Sequence, residues 1–461
     1  MQVSFTSWQG KGNVTGSKHA ISVGNRYIFL DYGIWQGNQD LELKNEHYKS
    51  PVNPNQIDAV LLSHAHADHC ALLPLLIQDG YKGSIYCTSA TRDLASVVLM
   101  DSAKVSNLYT EQDVIATLDH FRSHAYEKCK HVNDYFNYTA YNAGHILGSS
   151  MMDLEVKAKQ SFLEKLFRKQ QKHLHILFTG DLGRKNNPIV NPPAQDFPAP
   201  DYIFMEATYG NRLHDDLECS LEDLAEIINE TVNKEGKVII PTFAVERAQE
   251  LIYYLKVLMQ KNKIPKVPVY VDSPMATTAT GVFQIHPECF NHTIKDRFIS
   301  QNKNPFSVSS LHIVKDNQES IKLAKSKKPC IVIAANGMCT AGRVLNHLFY
   351  GIENYNNTIL LVGYASEGTL ARELMDGAEY INLNTKELFV KANVATIGAF
   401  SAHADYKETL EWLSGVDTSK LKKIYLVHGS NESLIAMKDF LISNGYPNVE
   451  IVQEGYEYRL N

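Results

Sequence analysis

The sequence predicts a mixed α/β protein of two domains, one inserted into the other. Its length of 461 residues exceeds what one ordinary hydrophobic core supports, so two domains are expected. Short apolar segments rich in β-branched and aromatic residues, typical of buried strands, occur in residues 1–208 and again after residue 399. Residues 209–398 follow a different pattern, in which strands and helices alternate regularly. The middle region is therefore predicted to interrupt the first domain.

Five predicted strands of the outer regions share one property, which is that a polar residue follows each of them at once. The strands are 27–30, 57–62, 175–178, 201–205 and 423–427. The residues at their ends are Asp31, Ser63 with His64, the segment 179–181, Glu206 and His428. Strand ends on one side of a sheet meet at a common rim, so these polar side chains are predicted to lie close together.

The middle region is predicted to form a mainly parallel sheet covered by helices. Its predicted strands are 237–241, 267–272, 330–334 and 358–362, and its predicted helices lie near 220–236, 245–260, 276–283, 342–349 and 368–376. Ser220 is the expected N-cap of the first of these helices. Regular alternation of strand and helix is typical of parallel sheets, because parallel strands need crossover connections.

The composition is that of a folded protein, with 44% hydrophobic and 21% charged residues. The formal net charge of −6 argues against a protein that coats DNA nonspecifically. The seven cysteines include no C-x-x-C pair, so we expect neither a disulfide framework nor a thiolate zinc site, and we expect a reducing cytoplasm. No signal-peptide pattern or long apolar stretch is present, so no membrane partner is expected.

Residues 63–69, Ser-His-Ala-His-Ala-Asp-His, carry the main chemical signal. Three histidines and an aspartate on one turn exceed what a protein core can satisfy, and the alanine spacers let the imidazoles converge. Imidazole and carboxylate groups are good zinc ligands, and such a site without thiolate is typical of catalytic zinc. His145 and Asp181 follow, each in a loop flanked by glycines. Together these residues supply enough ligands for two metal ions.

The sequence resembles the metallo-β-lactamase superfamily in a motif series that consists of His64, His66, Asp68, His69, His145, Asp181 and Asp31. It is similar to the β-CASP branch, the nucleases of nucleic-acid processing, in three motifs that fall on Glu206, His403 and His428. The similarity extends over essentially the whole chain and is greatest to prokaryotic relatives of the endonuclease subunit of the eukaryotic mRNA 3′-end cleavage factor. It implies a metallo-β-lactamase αββα sandwich, residues 1–208 and 399–461, with an inserted parallel-sheet β-CASP domain, residues 209–398.

The resemblance also implies a centre of two Zn²⁺ ions. The implied ligands of one zinc are His64, His66 and His145, those of the other are Asp68, His69 and His428, and Asp181 bridges both. Asp31 would lie behind these ligands, where it orients an imidazole and raises its basicity.

The chemistry implied by this centre is phosphodiester hydrolysis. A hydroxide that bridges two zinc ions is available near neutral pH, because the metals lower the pKa of bound water, and it can attack phosphorus in line. The resemblance places Asp68 to orient that hydroxide and His403 to protonate the departing oxygen as the general acid. The Glu206 carboxylate is expected to raise the pKa of His403 and so keep it protonated near pH 7.

Two arginines are candidates for binding substrate phosphates. Arg343 closes the glycine-rich segment 337–343, whose backbone amides are expected to cradle a phosphate. Arg247 stands where the family usually has Gly-Arg; Glu246 replaces that glycine here, and a buried salt bridge is an equal alternative for Arg247. The basic segment 157–172 is first interpreted as an amphipathic surface helix and second as a contact for a polyanion.

These inferences predict a cytoplasmic, dinuclear zinc ribonuclease that acts on single-stranded RNA, since RNA-directed members of the family carry histidine at the position of His428. One alternative is a hydrolase of DNA or small esters on the same centre, against which His428 and the large insert speak. Another is a catalytically silent scaffold in an RNA-processing assembly, against which the intact ligand set speaks. The sequence leaves open endonucleolytic or 5′-exonucleolytic cutting, the RNA targets, cleavage of DNA, and assembly, a homodimer included.

Overall fold

The chain forms two compact units in the computed structural model. The model describes residues 2–10, 12–37, 39–157, 173–301, 303–308, 310–363, 365 and 367–461. The first unit comprises the described residues up to 213 together with 403–461, and the second comprises those of 214–402. The chain therefore leaves the first unit and returns to it. The basic segment 157–172 lies, apart from its first residue, outside the described residues, and the domain limits at 208/209 and 398/399 stay predictions.

The first unit contains two seven-stranded sheets. The strands of the first sheet, in spatial order, are Glu457–Leu460, Val3–Ser7, His19–Val23, Arg26–Leu30, Ile57–Leu61, Ser84–Cys87 and Phe121–Ser123. The strands of the second sheet are Val449–Ile451, Lys423–Val427, Tyr202–Glu206, His173–Phe178, Ser150–Lys157, Phe136–Asn142 and Lys130–His131. Each sheet is antiparallel on one side and parallel on the other. All five strands that the sequence predicts to end at polar residues are present, and they lie in the parallel parts of the sheets.

The two sheets pack face to face through one hydrophobic core. Phe5, Ile28 and Leu61 of the first sheet share this core with Phe178 and Phe204 of the second. The rings of Phe5 and Phe204 stack with their centroids 3.7 Å apart. Burial of such large apolar side chains is the main favourable term in holding two sheets together.

Helices cover the sheets and complete the layers. In the described part of the first unit, the helices are Gln39–Glu46, Ala67–Cys70, Leu73–Gln78, Ser89–Val105, Glu111–Leu118, Tyr406–Ser414 and Asn431–Ser443, with a 3₁₀ turn at Pro54–Gln56. The last two helices pack through Trp412, Leu413 and Leu441 onto the outer face of the second sheet, where Leu177 and Ile203 lie. The predicted sandwich fold with an inserted parallel-sheet domain is confirmed.

The second unit is built on a six-stranded, fully parallel sheet. Its strands, in spatial order, are Leu311–Ile313, Val269–Asp272, Cys330–Ala334, Lys237–Pro241, Thr358–Val362 and Asn393–Ile397. A separate hairpin pairs Tyr380–Leu383 with Lys386–Phe389. The helices are Leu217–Asn233, Arg247–Gln260, Pro274–Ile285, His292–Ile299, Asn317–Lys325, Val344–Gly351 and Leu370–Met375, with a 3₁₀ turn at Pro287–Cys289.

The first helix of the second unit begins earlier than the sequence predicts. Asp216 is its N-cap, with a side-chain oxygen 3.0 Å from the backbone nitrogen of Cys219. Ser220 was the expected cap, but it lies buried inside the helix. A carboxylate at Asp216 accepts a bond from an otherwise unpaired amide and favours the positive end of the helix dipole, so the earlier start is preferred.

Among the described residues, no helix combines the length and the apolar character that crossing a bilayer requires.

Candidate metal and catalytic centre

The backbone of the segment 64–69 is held by two neighbouring stretches of chain. Ser17 N donates to Asp68 O over 2.8 Å, and Tyr32 N donates to His69 O over 2.7 Å. Only glycine fits at position 33, because a Cβ atom there would lie 1.7 Å from Asp68 O. This close approach fixes the turn that presents the histidines.

Two of the strand-end residues adopt a backbone conformation that non-glycine residues avoid. Asp31 has a φ of 60° and His428 a φ of 49°. Such left-handed residues cost about 1–3 kcal/mol and tend to occur at functional sites. Each turns its side chain away from the line of its strand toward the other polar strand ends.

A first group of four side chains converges at this rim. His64 Nε2 lies 3.0 Å from His66 Nδ1 and 3.4 Å from Asp181 Oδ2. His145 Nε2 lies 3.3 Å from His66 Nδ1 and 3.5 Å from Asp181 Oδ2. Burial lowers the pKa of His64 and His145, and it lowers that of His66 to about 4. The three imidazoles are therefore neutral, and their ring-nitrogen lone pairs face one another.

A second group lies beside the first and shares Asp181 with it. His69 Nε2 lies 3.2 Å from His428 Nε2 and 3.7 Å from Asp68 Oδ2. His428 Nε2 lies 3.5 Å from Asp68 Oδ2. Asp181 Oδ1 is 3.3 Å from His69 Nε2, so the two oxygens of Asp181 face different groups. The ligand atoms within Asp68, His69 and His428 all lie within 4.8 Å of one another.

Asp31 fixes the orientation of His69 from behind. Its Oδ2 atom lies 2.7 Å from His69 Nδ1, and its Oδ1 atom accepts from Ser63 N over 2.7 Å. An Nδ1–H bonded to Asp31 leaves the lone pair on Nε2, which faces the group. Burial opposes a charge on His69, but the carboxylates of Asp181 and Asp68 outweigh burial and raise its pKa. The site therefore attracts positive charge.

The spacing of these atoms fits bound zinc. Zinc–nitrogen and zinc–oxygen bonds of about 2.0–2.1 Å in a tetrahedron place neighbouring ligand atoms about 3.3 Å apart. The separations measured within the first group are 3.0–3.5 Å, and those within the second group, Asp181 included, are 3.2–3.7 Å. Close pairs of nitrogen lone pairs repel one another unless a cation lies between them, so the residues fit the two predicted metal ions.

His403 and Glu206 form a hydrogen-bonded pair next to the first group. His403 Nδ1 lies 2.9 Å and 3.1 Å from the two oxygens of Glu206. Glu206 is buried and accepts from Leu182 N over 2.6 Å and from Thr208 N over 3.1 Å. Burial alone would lower the pKa of His403, but the charge and hydrogen bond of Glu206 outweigh it and raise the pKa to about 9. The imidazole is therefore held protonated, as a proton donor must be.

Some supporting residues carry no sequence signal of their own. Thr208 Oγ1 lies 3.1 Å from His428 Nδ1 and holds that ring from behind. Ser17 Oγ donates to Asp31 Oδ2 over 3.3 Å and lies 3.2 Å from His19 Nε2, so a polar chain extends inward from the metal groups. Hydroxyl side chains of this kind are common in every loop, so nothing local in the sequence marks Ser17 or Thr208 as part of the site.

Comparison with known proteins agrees with this geometry. Residues 20–192 match a metallo-beta-lactamase superfamily domain, residues 248–374 a Beta-Casp domain, and residues 387–452 a Zn-dependent metallo-hydrolase RNA specificity domain. A ribonuclease of Thermus thermophilus is 33% identical over 434 residues, which cover 94% of this chain and 94% of that protein.

The chain belongs to the β-CASP family of RNA-processing nucleases.

Other β-CASP relatives differ in how much of them the chain spans. An RNase J-like protein of Methanocaldococcus jannaschii is 33% identical over 82% of this chain and 83% of its own length. The transcription termination factor FttA of Methanosarcina mazei is 30% identical over 94% of this chain but only 68% of its own length. A crystal structure of a protein of unknown function from Enterococcus faecalis aligns over 100% of both chains with a TM-score of 0.57 and 13% identity, which shows a shared fold alone.

The two arginines predicted to bind phosphate both bond within the β-CASP unit. Arg247 is buried, and its Nη1 atom lies 2.6 Å from Glu250 Oε2, the salt bridge that the sequence left open as an alternative. Arg343 is partly exposed, and its Nη1 atom donates to Asp272 Oδ1 over 2.9 Å and to Val314 O over 3.1 Å. A phosphate contact of either residue stays a prediction.

Asp272 is the centre of the network around Arg343. It is fully buried, and its Oδ2 atom lies 2.7 Å from His347 Nε2. Burial alone would raise the pKa of Asp272, but hydrogen bonds from His347, Ser320 and Arg343 hold it below its usual value. A depressed pKa in the folded state means that ionised Asp272 stabilises the fold above the unfolded-state pKa of about 3.9, and that this contribution disappears as pH falls through the folded-state pKa.

We expect Asp272→Asn to lower the free energy of unfolding by about 1–3 kcal/mol at pH 7, because hydrogen bonds to a charged acceptor are lost. The difference from the wild type should stay constant down to about pH 5 and shrink below about pH 4. Urea unfolding at several pH values measures it. Asp376→Asn, which removes an exposed carboxylate paired with Arg372, is the control and should change stability little. A deficit that grows on acidification would contradict the assignment.

Proposed function

We propose that this β-CASP protein is a zinc-dependent ribonuclease that hydrolyses phosphodiester bonds of single-stranded RNA. The observation that carries the proposal is the convergence of two metal-ligand groups on the shared carboxylate of Asp181, with the His403–Glu206 pair beside them. We further propose cytoplasmic location, since its cysteines are free thiols. The metallo-β-lactamase part would comprise 1–208 and 399–461, and the β-CASP part 209–398.

Seven side chains would hold the two zinc ions. His64, His66 and His145 would bind one, Asp68, His69 and His428 the other, and Asp181 both. When bound, two zinc ions make a coordinated water acidic enough to act as a nucleophile near neutral pH and offset charge on the phosphate. Asp31 and Thr208 would keep the His69 and His428 rings in place through their Nδ1 atoms.

Asp68 is the ligand carboxylate with a second task. Its side chain is 16% exposed, whereas that of Asp181 is 2% exposed, so Asp68 is the more accessible of the two carboxylates. An oxygen of Asp68 can accept a hydrogen bond from the attacking water and so direct its lone pair toward phosphorus. Holding the reacting atoms in line converts a bimolecular step into a positioned one.

His403 would protonate the departing oxygen of the broken phosphodiester bond. Its ring is 19% exposed and lies tilted against that of His145 with centroids 4.6 Å apart, which places it at the edge of the metal groups. The Nδ1 atom is bound to Glu206, so Nε2–H is the atom that donates the proton. Glu206 is itself fixed by two backbone amides and therefore orients His403.

The proposal is tested by giving purified, zinc-loaded protein end-labelled single-stranded RNA, the same sequence as DNA, and a small phosphodiester. We expect RNA to be cleaved fastest, and Asp68→Ala and His403→Ala each to reduce kcat by about 10²–10⁴-fold. Undiminished cleavage by both variants would reject the mechanism, and equal or faster turnover of DNA would reject the choice of RNA. A chain that binds about zero zinc would instead be the silent scaffold. Product lengths over time distinguish endonucleolytic from 5′-exonucleolytic cutting.

A further inference from the structure

A buried lysine occupies an aromatic box close to the second metal group. Lys18 is fully buried, and its Nζ atom has no hydrogen-bond partner among the described residues. The atom lies 3.8 Å from the ring centroid of Trp35, 4.1 Å from that of Tyr48 and 5.3 Å from that of Tyr32. We call these three rings the aromatic box. Buried lysines normally pair with a carboxylate or another hydrogen-bond acceptor, so a buried lysine that contacts only ring faces is unusual.

The walls of the aromatic box are themselves fixed. The backbone of Trp35 is held on both sides by Asn45. Trp35 N donates to Asn45 Oδ1 over 2.9 Å, and Asn45 Nδ2 donates to Trp35 O over 2.7 Å. Tyr48 and Tyr32 join through their hydroxyls over 2.6 Å. Burial lowers the pKa of Lys18 well below its usual value, which makes an unpaired amine tolerable there. The aromatic box is therefore held in place, and it can fix the position of the neighbouring backbone.

All three ligands of the second group have a backbone atom held by a residue of the aromatic box, by the chain neighbour of Lys18, or by a residue hydrogen-bonded to the box. Ser17, next to Lys18, donates its N–H to Asp68 O over 2.8 Å. Tyr32, a wall of the box, donates its N–H to His69 O over 2.7 Å.

The third ligand, His428, is connected to the aromatic box through Gln9. Trp35 Nε1 donates to Gln9 O over 2.9 Å, and Gln9 Oε1 accepts from His428 N over 3.2 Å. His428 has a left-handed backbone, with a φ of 49°, so its position depends on such external support.

The first group has additional support from other elements. Ser150 N donates to Ser63 O over 2.8 Å, next to His64, and His145 N donates to Ser149 Oγ over 3.1 Å. These contacts come from the loop 143–150 and the start of the strand Ser150–Lys157 of the second sheet. Ser63 N also donates to Asp31 Oδ1 over 2.7 Å, so the first group shares part of its support with the second group and has these further bonds of its own.

We propose that Lys18 is a positioning residue for the second metal group, and that its aromatic box sets how tightly Asp68, His69 and His428 hold their zinc. The inference rests on the proposed function only in requiring that both groups bind metal. Removing the Lys18 side chain leaves space between the rings, so the segments around residues 17 and 32 lose one of their contacts and keep the bond from Gly33 N to Ser17 O. The ligand positions of the second group then relax more than those of the first group, which keeps its bonds to Ser149 and Ser150.

The test is a metal titration of the full chain. Metal-free protein is titrated with Zn²⁺ by calorimetry and with Co²⁺ by visible absorption, and His428→Ala identifies which of the two binding steps belongs to the second group. In Lys18→Ala we expect that step to weaken by about 10–100-fold and the other to change by less than about threefold, the range seen when a group behind a metal ligand is removed. Trp35→Phe keeps a ring over Lys18 but loses the donor to Gln9, and it should weaken the same step.

A matched control separates positioning from general destabilisation. Leu99→Ala truncates a fully buried side chain in the helix Ser89–Val105 and should lower stability without favouring either binding step. Equal weakening of both steps in Lys18→Ala and Trp35→Phe, or no weakening in either, overturns the proposal. If Lys18→Ala does not fold, Trp35→Phe decides on the same criterion. A wild type that binds two metal ions but does not cleave RNA removes the proposed function and leaves this inference standing.

Discussion

Replacing Asp181 with alanine is expected to release both metal ions and to reduce RNA cleavage at least about 100-fold. One oxygen of Asp181 lies 3.4 Å from His64 Nε2 and 3.5 Å from His145 Nε2, and the other lies 3.3 Å from His69 Nε2. Among the described residues, no other side chain contributes to both groups in this way. Zinc per chain after dialysis, measured by mass spectrometry of the metal, should fall from about two to less than one.

Asp181→Asn is the matched control, since it keeps the size of the side chain and one of its two oxygens. It should retain metal at one group and lose the bridge, so zinc per chain should be intermediate between the wild type and the alanine variant. Burial opposes a charge on Asp181, but the histidines around it outweigh burial and hold its pKa well below the usual value. Full occupancy of both groups in Asp181→Ala would show that the carboxylate does not bridge them.

Replacing His403 with alanine is expected to reduce kcat on ordinary RNA by about 10²–10⁴-fold while leaving the zinc content at the wild-type level. The reason is that His403 bonds to Glu206 and is not one of the ligand atoms of either group. A substrate in which sulfur replaces the bridging leaving-group oxygen measures the role directly. A thiolate leaves without a proton, so this substrate should be cut by His403→Ala nearly as fast as by the wild type.

Glu206→Gln is the companion variant. It keeps a hydrogen-bond acceptor for His403 but removes the charge that favours the imidazolium, so kcat should fall less than in His403→Ala. The sulfur substrate should again suppress most of the difference. An equal defect of His403→Ala on the oxygen and sulfur substrates would assign His403 to substrate binding and not to proton transfer.

The parts of the fold that the sequence predicted are those set by local patterns. Apolar runs such as 423–427 define strands, and the polar residue at the end of each run identifies the rim where side chains gather. The motif at residues 64–69 predicts metal chemistry because few other functions explain so many imidazoles on one turn. The strand-end residues and the motif at 64–69 converge because the strands that carry them end on the same side of the two sheets.

The unpredicted parts depend on contacts between residues far apart in sequence. Lys18 looks like an ordinary surface lysine until Trp35 and Tyr48 close around it. Thr208 supports His428 across 220 positions, and nothing local indicates this. Arg343 looks like a free cation after a glycine-rich turn, but Asp272, on another strand, accepts one of its hydrogen bonds. The local sequence pattern around each residue cannot predict such long-range contacts.

His69 and His428, whose Nε2 atoms lie 3.2 Å apart, are separated by 359 positions in the chain. The consequence concerns the order of synthesis. A ribosome completes the first metal group once Asp181 has emerged, whereas His403 and His428 are made only after the whole inserted domain. Under the proposed function, unfinished chains therefore lack both the proton donor and a ligand of the second zinc. A ribonuclease assembled in this order cannot cut the messenger that encodes it until the ribosome has passed the whole inserted domain.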